Sequence, residues 1–329
     1  MAALTAARMQ KILQRGQDKR LLLIGDLMID RYLWGNVTRI SPEAPVPIIN
    51  IEEEEIRFGG AANVANNLIG LNAKPLVVGV VGDDQWGDIF RQRLSEKNLP
   101  ADGLFVDRTR PTTIKTRIIG NNQHVARVDR EKTHALDPQA RDRIARFVDE
   151  IMPDVDGVIL EDYNKGLLTP GLIHRIIAAA IRHDKTITVD PKFDNFLEYR
   201  NVTLFKPNKK EAAEALAMRI DGEASVRKAG IKLLEKLNAQ NVLITLGGKG
   251  MALFERDGQI SFTGAQARNV ADVSGAGDTV IGTAAFALTA GATPNEAVSI
   301  ANIAAGVVCG EVGVVPITAE QLISTARQD

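Results

Sequence analysis

A single cysteine, Cys309, among 329 residues excludes any intrachain disulfide and any cysteine-based zinc site, and it fits a reducing compartment. It reads as a lone buried thiol. Aromatic residues are scarce at 5%, and neither sign of charge is in excess, with 40 basic side chains against 41 acidic ones. A net charge of −1 offers no broad basic surface for nucleic acid or for an anionic membrane, so the expected partner is a small molecule. No apolar run reaches the roughly 20 residues that a membrane span needs. The longest uncharged stretch, residues 279–295, is rich in Ala and Gly and falls short. The first twenty residues interleave Ala and Leu with Arg8, Lys11, Arg15 and Lys19, which suits a surface helix rather than a signal-peptide core. These absences predict a cytoplasmic protein. Three common catalytic signatures are also lacking: a Walker-type Gly-x-x-x-x-Gly-Lys-[Ser/Thr], a dinucleotide-type Gly-x-Gly-x-x-Gly after the first strand, and a His-x-x-x-His metal pair.

What the chain does have is alternation. Short apolar runs at Leu21 to Gly25, Leu76 to Val81, Gly157 to Leu160, Thr186 to Val189, Val202 to Phe205 and Val242 to Thr245 read as strands buried on both faces. Helical patterns such as Asp137 to Ile151 and Glu223 to Leu237 separate them. Strand and helix in turn imply right-handed crossovers, hence an α/β fold with a doubly wound, mostly parallel sheet and helices on both faces. Length permits two domains or one large unit, and we expect a single domain over residues 1–329. Two segments, residues 35–58 and 112–128, show period-two alternation with polar residues and prolines. They resemble exposed antiparallel strands and predict a discontinuous small β lid. Ligands of open α/β sheets bind beyond the carboxyl ends of the strands, so a lid projecting there would close on substrate and exclude water. Glu52 to Glu55 reads as a solvated strand or turn. An Ala/Gly-rich helical stretch from Gly275 to about Gly310 is broken near Gly291-Ala292-Thr293-Pro294, where Thr-Pro-Asn-Glu signals a helix start.

Five polar clusters punctuate this pattern. Asp272-Val273-Ser274-Gly275-Ala276-Gly277-Asp278-Thr279 sets the backbone amides of a helix start beside one carboxylate. Its small residues let an anion approach the backbone, and the helix N-terminus adds positive potential there. An aspartate in that turn can take a proton from a hydroxyl, a combination that suggests phosphoryl transfer to an alcohol. The competing reading is a plain glycine turn opening a helix. Gly25-Asp26-Leu27-Met28-Ile29-Asp30 offers two carboxylates that could grip sugar hydroxyls or cap a turn. Gly59-Gly60-Ala61-Ala62-Asn63 lets a ligand touch backbone and adds an amide, or simply starts a packed helix. Lys206-Pro207-Asn208-Lys209-Lys210-Glu211 presents oxygen ligands suited to hydrated Mg²⁺ on nucleotide phosphates, or a capping box. Thr245-Leu246-Gly247-Gly248-Lys249-Gly250 is a hairpin turn or a loop against a nucleotide.

In their order along the chain these clusters resemble the ribokinase-like sugar kinases, the PfkB carbohydrate kinase family, over essentially the whole length. The resemblance implies Asp278 as catalytic base with Gly275, Ala276 and Gly277 as anion hole, and Asp30, Gly59, Gly60 and Asn63 as sugar ligands. It implies ATP as phosphoryl donor with Mg²⁺, organised by Asn208 and Glu211, while Thr245, Gly247 and Gly250 belong to the nucleotide loop. Asp272 and Ser274 would lie near a monovalent-cation loop, with K⁺ as the candidate. Within the family, Arg39-Ile40-Ser41-Pro42-Glu43-Ala44-Pro45-Val46-Pro47, Asp162-Tyr163-Asn164-Lys165-Gly166 and Asp190-Pro191-Lys192 are similar to the D-glycero-β-D-manno-heptose 7-phosphate kinases of lipopolysaccharide synthesis. Such a substrate carries a phosphate, and Lys165, Lys192, Arg117 and Arg127 are the candidate cations for it. Bifunctional members add a nucleotidyltransferase domain, so a chain ending at Asp329 is expected to be a free-standing kinase or an excised half. Other expectations stay in view: a kinase for another sugar phosphate such as a ketohexose phosphate, or a non-catalytic sugar-binding regulator, against which the intact Asp278 and its glycine turn argue. Exposed lid edges also predict a homodimer.

Overall fold

Strands that are apolar on both faces need helices above and below them, and the chain supplies these in alternation. The computed structural model describes residues 4–266, 272–311, 313 and 315–326. Along the chain the elements are α1 (Ala6–Gly16), β1 (Arg20–Gly25), β2 (Leu27–Ile40), β3 (Pro47–Gly60), α2 (Ala61–Gly70), β4 (Lys74–Gly82) and α3 (Gln85–Glu96). Next come β5 (Leu104–Asp107), β6 (Ile114–Gly120), β7 (Gln123–Arg130), α4 (Pro138–Ile151), β8 (Gly157–Glu161), α5 (Pro170–Arg182) and β9 (Thr186–Asp190). The remainder comprises β10 (Leu204–Phe205), α6 (Lys209–Ala215), α7 (Glu223–Leu237), β11 (Asn241–Thr245), β12 (Met251–Glu255), β13 (Ile260–Thr263), α8 (Ala276–Thr289), α9 (Pro294–Cys309) and α10 (Ala319–Ala326).

Nine strands form the main sheet in the order β13-β12-β11-β10-β9-β8-β1-β4-β5. From β5 to β11 every pairing is parallel, and the β11-β12-β13 edge is antiparallel. Period-two alternation splits the β1 side chains between two cores. Leu22 and Ile24 join α4, α5 and α7 on one face, whereas Leu21 and Leu23 join α1, α2, α3, α8, α9 and α10 on the other. This is the doubly wound α/β fold expected from the sequence. Helix starts follow the local signals: the Asp137 carboxylate accepts from Ala140 N ahead of Pro138, and Thr293 with Glu296 closes a capping box at α9.

A second, four-stranded sheet has the order β3-β2-β6-β7. It occupies the two segments read as a lid, but β2 pairs with β6 in parallel, so the sheet is mixed rather than antiparallel throughout. The period-two pattern reports which face is buried and carries no information on strand direction. Its strands also reach further than expected. β2 starts at Leu27 and β3 ends at Gly60, so Asp30, Gly59 and Gly60 lie on paired strands and not in loops. Elsewhere, the run from Val202 is strand only at Leu204–Phe205, and α1 is the surface helix expected, with Lys11 and Arg15 exposed and Met9, Ile12 and Leu13 buried. Cys309 is the buried thiol anticipated. Among the described residues, no helix is long and apolar enough to cross a membrane.

Candidate active site

Parallel strands leave their carboxyl ends along one edge, and the polar clusters follow those ends: Asp26 after β1, Asp162-Tyr163 after β8, Pro191-Lys192 after β9, Lys206 to Asn208 after β10 and Leu246 after β11. The N-terminus of α8 and the mixed sheet border the same edge. Between them lies a cleft of about 460 Å³ whose lining includes Asp30, Gly60, Asn63, Arg117, Arg127, Lys192, Asn208, Glu211, Thr245, Ser274, Gly275, Gly277 and Asp278. A second, more apolar cavity of about 280 Å³ shares Thr245 and Gly277 with it and is lined by Gly247, Gly250, Ala276, Val280 and Cys309 among others. The structure therefore brings most of the expected residues to one place.

Asp278 lines the cleft and is buried. It sits in the first turn of α8, whose N-cap Gly275 has φ 78°, a left-handed conformation that glycine adopts without strain. First-turn amides have no acceptor within their own helix, and Gly277 and Asp278 both line the cleft. The Ala276 amide, one of the three donors expected, is bonded to Val273 O at 3.3 Å. The Asp278 carboxylate accepts from Asn63 Nδ2 at 2.7 Å and from the Tyr163 hydroxyl at 2.8 Å. Burial pushes its pKa up to about 6 against the pull of those two donors, and Asp190 adds to the rise.

Glu161 and Asp190 complete a buried acidic cluster, with oxygens of these two and Asp278 all within 4.8 Å of one another. Lys206, only 3% exposed, pairs with Asp190 at 2.6 Å. Burial drives Glu161 well above the usual carboxylate range, with Asp190 and Asp278 adding to it, and burial raises Asp190 despite Lys206 and Lys192. For Lys206, burial works against the charge and loses to Asp190 and Glu161, so its pKa is raised. Two buried oxygens here have no hydrogen-bond partner, Glu161 Oε2 and Asn63 Oδ1. Hard oxygen donors with spare lone pairs fit a hydrated divalent cation of the Mg²⁺ type and sugar hydroxyls.

Some expected residues occupy other positions than anticipated. Asp26 does not reach out to a ligand: its carboxylate accepts the amides of Tyr163 and Lys165 at 2.9 and 3.0 Å. Lys165 lies outside the cleft lining and pairs with Glu131 at 2.7 Å, because the turn that holds its backbone points the side chain to the end of β7. Lys192 pairs with Glu211 at 2.6 Å and lines the cleft beside that residue. Asn208 and Glu211 do form the capping box, with Asn208 N to Glu211 Oε2 at 2.8 Å, and both still line the cleft. The Thr245 to Gly250 stretch is the β11–β12 hairpin turn and also a wall of the second cavity. Gly59 is not itself in the lining, yet a Cβ there would collide with the Asp30 carboxylate, which pairs with Arg117. Asp272 turns its carboxylate onto Ser274 N at 2.9 Å; burial raises its pKa, but the Ser274 hydrogen bonds prevail and hold it low.

Four charged or polar residues of the cleft lining carry no role from the sequence, Lys115, Tyr163, Asp190 and Lys206, and neither does Glu161 of the acidic cluster. The signal for Lys115 was present, since it lies two residues before Arg117 and shares its strand face. Asp190 and Lys206 lie at strand ends beside residues already singled out, but their pairing spans 16 residues and no spacing reveals it.

With this geometry in hand, comparison with known proteins is informative. Residues 18–320 match the model of the pfkB family carbohydrate kinases. The chain is 44% identical over 303 residues, 92% of its length, to the bifunctional protein HldE of Desulfatibacillum aliphaticivorans. It is 42% identical over 310 residues to the HldE of Helicobacter pylori strain 26695, covering 94% of this chain. It spans 62% and 67% of the length of these two relatives. Among solved structures, Arabidopsis thaliana ribokinase complexed with ribose and ATP superposes with a TM-score of 0.74 at 18% identity, covering 94% of this chain and 99% of that one. Escherichia coli phosphofructokinase-2 in complex with potassium gives 0.77 at 18%, covering 95% and 99%. Fold, site and sequence agree, and the chain belongs to the pfkB family of carbohydrate kinases.

Proposed function

We propose that this sugar kinase transfers the γ-phosphoryl group of ATP to the anomeric hydroxyl of D-glycero-β-D-manno-heptose 7-phosphate, giving the 1,7-bisphosphate on the way to ADP-heptose for the lipopolysaccharide core. The observation that carries the reaction type is the buried Asp278 carboxylate at the first turn of α8, at a helix start whose Gly275 and Gly277 line the same cleft. Asp278 withdraws the hydroxyl proton as that oxygen attacks phosphorus in line, and the amides of Gly277 and Asp278, with Ala276 once its weak internal bond yields, meet the developing charge. Asp30 and Asn63 orient the sugar; the unpartnered Asn63 oxygen is an acceptor for one of its hydroxyls. Asn208 and Glu211 would hold Mg²⁺ through water, and that ion would supply charge neutralisation for the phosphates. Thr245, Gly247 and Gly250 wall the apolar cavity, which suits a nucleoside. Asp272 and Ser274 remain the proposed neighbours of a K⁺ site.

The heptose reading is supported by the HldE relatives and by cations at the sheet end of the cleft. Lys115, Arg117 and Arg127 face it together, on the paired strands β6 and β7. A phosphate far from the reacting carbon would meet Arg127 and Arg117 there, competing with their partners Asp129 and Asp30, whereas Lys165 and Lys192 are paired with Glu131 and Glu211. The mixed sheet would act as a lid, and its exposed Ile40, Ile51, Val125 and Val128 support pairing between two copies. The test is sugar-dependent ADP release with heptose 7-phosphate, the unphosphorylated heptose and fructose 6-phosphate as acceptors. Preference for the first, with product phosphorylated at carbon 1 by NMR, is expected. Equal or better turnover of fructose 6-phosphate overturns the substrate, and binding without turnover of any acceptor overturns the reaction.

A further inference from the structure

The stretch Asp162-Tyr163-Asn164-Lys165 is held by two carboxylates that are each at most 4% exposed. Asp26 accepts the amides of Tyr163 and Lys165. Asp162 accepts the Asn164 amide at 2.8 Å, the Tyr199 hydroxyl at 2.6 Å and Asn195 Nδ2 at 3.2 Å. So much buried charge devoted to one turn calls for a reason, because each carboxylate must be desolvated and then satisfied by donors. What the turn delivers to the cleft wall is one side chain, the phenol of Tyr163. Its hydroxyl donates to Asp278 Oδ1, Asn63 donates to Oδ2, and Lys192 Nζ stands 5.3 Å from the ring centroid. A ring that merely filled space would not need a hydroxyl aimed at the reacting carboxylate.

We propose that Tyr163 is a positioning residue for phosphoryl transfer: with Asn63 it clamps the Asp278 carboxylate in one orientation, and Asp26 and Asp162 are the mount that keeps it there. The clamp leaves each carboxylate oxygen a free lone pair for the sugar hydroxyl. A misplacement of about 1 Å at such a base can cost on the order of 100-fold in rate. The phenol stays a donor throughout the working range, because burial and the negative neighbour Asp278 raise its pKa well above the ordinary value. A donor to the charged form of a carboxylate favours ionisation, so removing it moves the base's titration upward.

This inference rests on Asp278 being the base, and the experiment separates the two. Steady-state kinetics are measured from pH 5 to 9 for wild type, Asp278→Asn and Tyr163→Phe with Mg-ATP and the sugar phosphate, using folded protein verified by circular dichroism. Tyr163→Phe is expected to lower kcat by about 10–100-fold, to leave both KM values within about twofold, and to shift the acid limb of kcat/KM upward by about one pH unit. If Asp278→Asn retains turnover, the base assignment fails and this inference with it. If Asp278→Asn is inactive but Tyr163→Phe keeps wild-type kcat and acid limb, the clamp alone is overturned. A KM-only effect overturns it too, since that is what a sugar contact would give. Should Tyr163→Phe not fold, Asp26→Asn keeps the phenol and loosens its mount; an acid limb displaced in the same direction supports the clamp, and an unmoved limb refutes it.

Discussion

Asp278 holds a charge that the protein interior resists. Its pKa near 6 means that kcat/KM should fall about tenfold per pH unit below that value, a slope that a pH–rate profile reads directly. Asp278→Asn is expected to lower turnover by about 10²–10⁴-fold while leaving Mg-ATP affinity nearly unchanged, as isothermal titration would show. The same substitution should stabilise the free enzyme. A carboxylate whose folded pKa lies above its unfolded value contributes stability that is complete below about pH 4 and is lost as pH rises through about 6. At pH 8 the neutral asparagine escapes that loss, a gain on the order of 2–3 kcal/mol before its poorer fit to two donors is subtracted. Thermal melts at pH 8 and pH 4 check it, with the difference expected only at pH 8. Asp278 was legible in the sequence because its glycine turn, helix start and carboxylate are contiguous. Tyr163 was not, as its partner lies 115 residues away.

Elements set where these groups point. Asn208 caps α6, a helix of only seven residues, and the cap also fixes Glu211 next to Lys192. Asn208→Ala should cost about 1 kcal/mol in urea denaturation and raise KM for Mg-ATP with little change for the sugar. Equal effects on both substrates would contradict the division of the cleft into nucleotide and sugar sides. Gly230 on α7 lies against the ring of Phe254 on β12, leaving no space for a methyl group. Gly230→Ala should therefore destabilise by about 1–3 kcal/mol despite better helix propensity, and a midpoint at or above wild type in denaturant would disprove that packing account. Helices α4 and α7 were readable to within a residue from caps and periodicity. Strand direction between β2 and β6 was not, because a buried face looks the same in either direction.

Across the whole molecule, opposing sets of carboxylates shape stability. Asp26 and Asp278 have pKa values near 6, so both contribute stability that fades as pH rises from about 4 through 6. Asp84, Asp107 and Asp156, held low because hydrogen bonds and cations outweigh the opposing effect of burial, contribute stability that is lost as pH falls through their folded pKa values. Free enzyme should be most stable at about pH 4 and decline from there toward pH 8, with Asp26→Asn/Asp278→Asn flattening the alkaline side. Denaturant midpoints across pH decide it: an equally steep decline in the double variant would assign the effect elsewhere. At this scale too, if the proposed pairing through the mixed sheet holds, Val128→Asp at its exposed position should shift dimer toward monomer in sedimentation without lowering the melting temperature of the monomer.

Contiguous residues carry local information. Apolar runs, helix caps and glycine turns therefore determined the α/β class, the strand ends and the family resemblance, which implied Asp278, Asn63, Asn208 and Glu211 as candidate site residues. Contacts between distant segments carry the rest. Only the tertiary structure decided that Lys165 turns to Glu131 and Lys192 to Glu211, that Asp190 pairs with Lys206, and that Asp26 holds a turn instead of a ligand. Burial and pairing are properties of the assembled cleft, and the charge state of each group follows from what surrounds it in space.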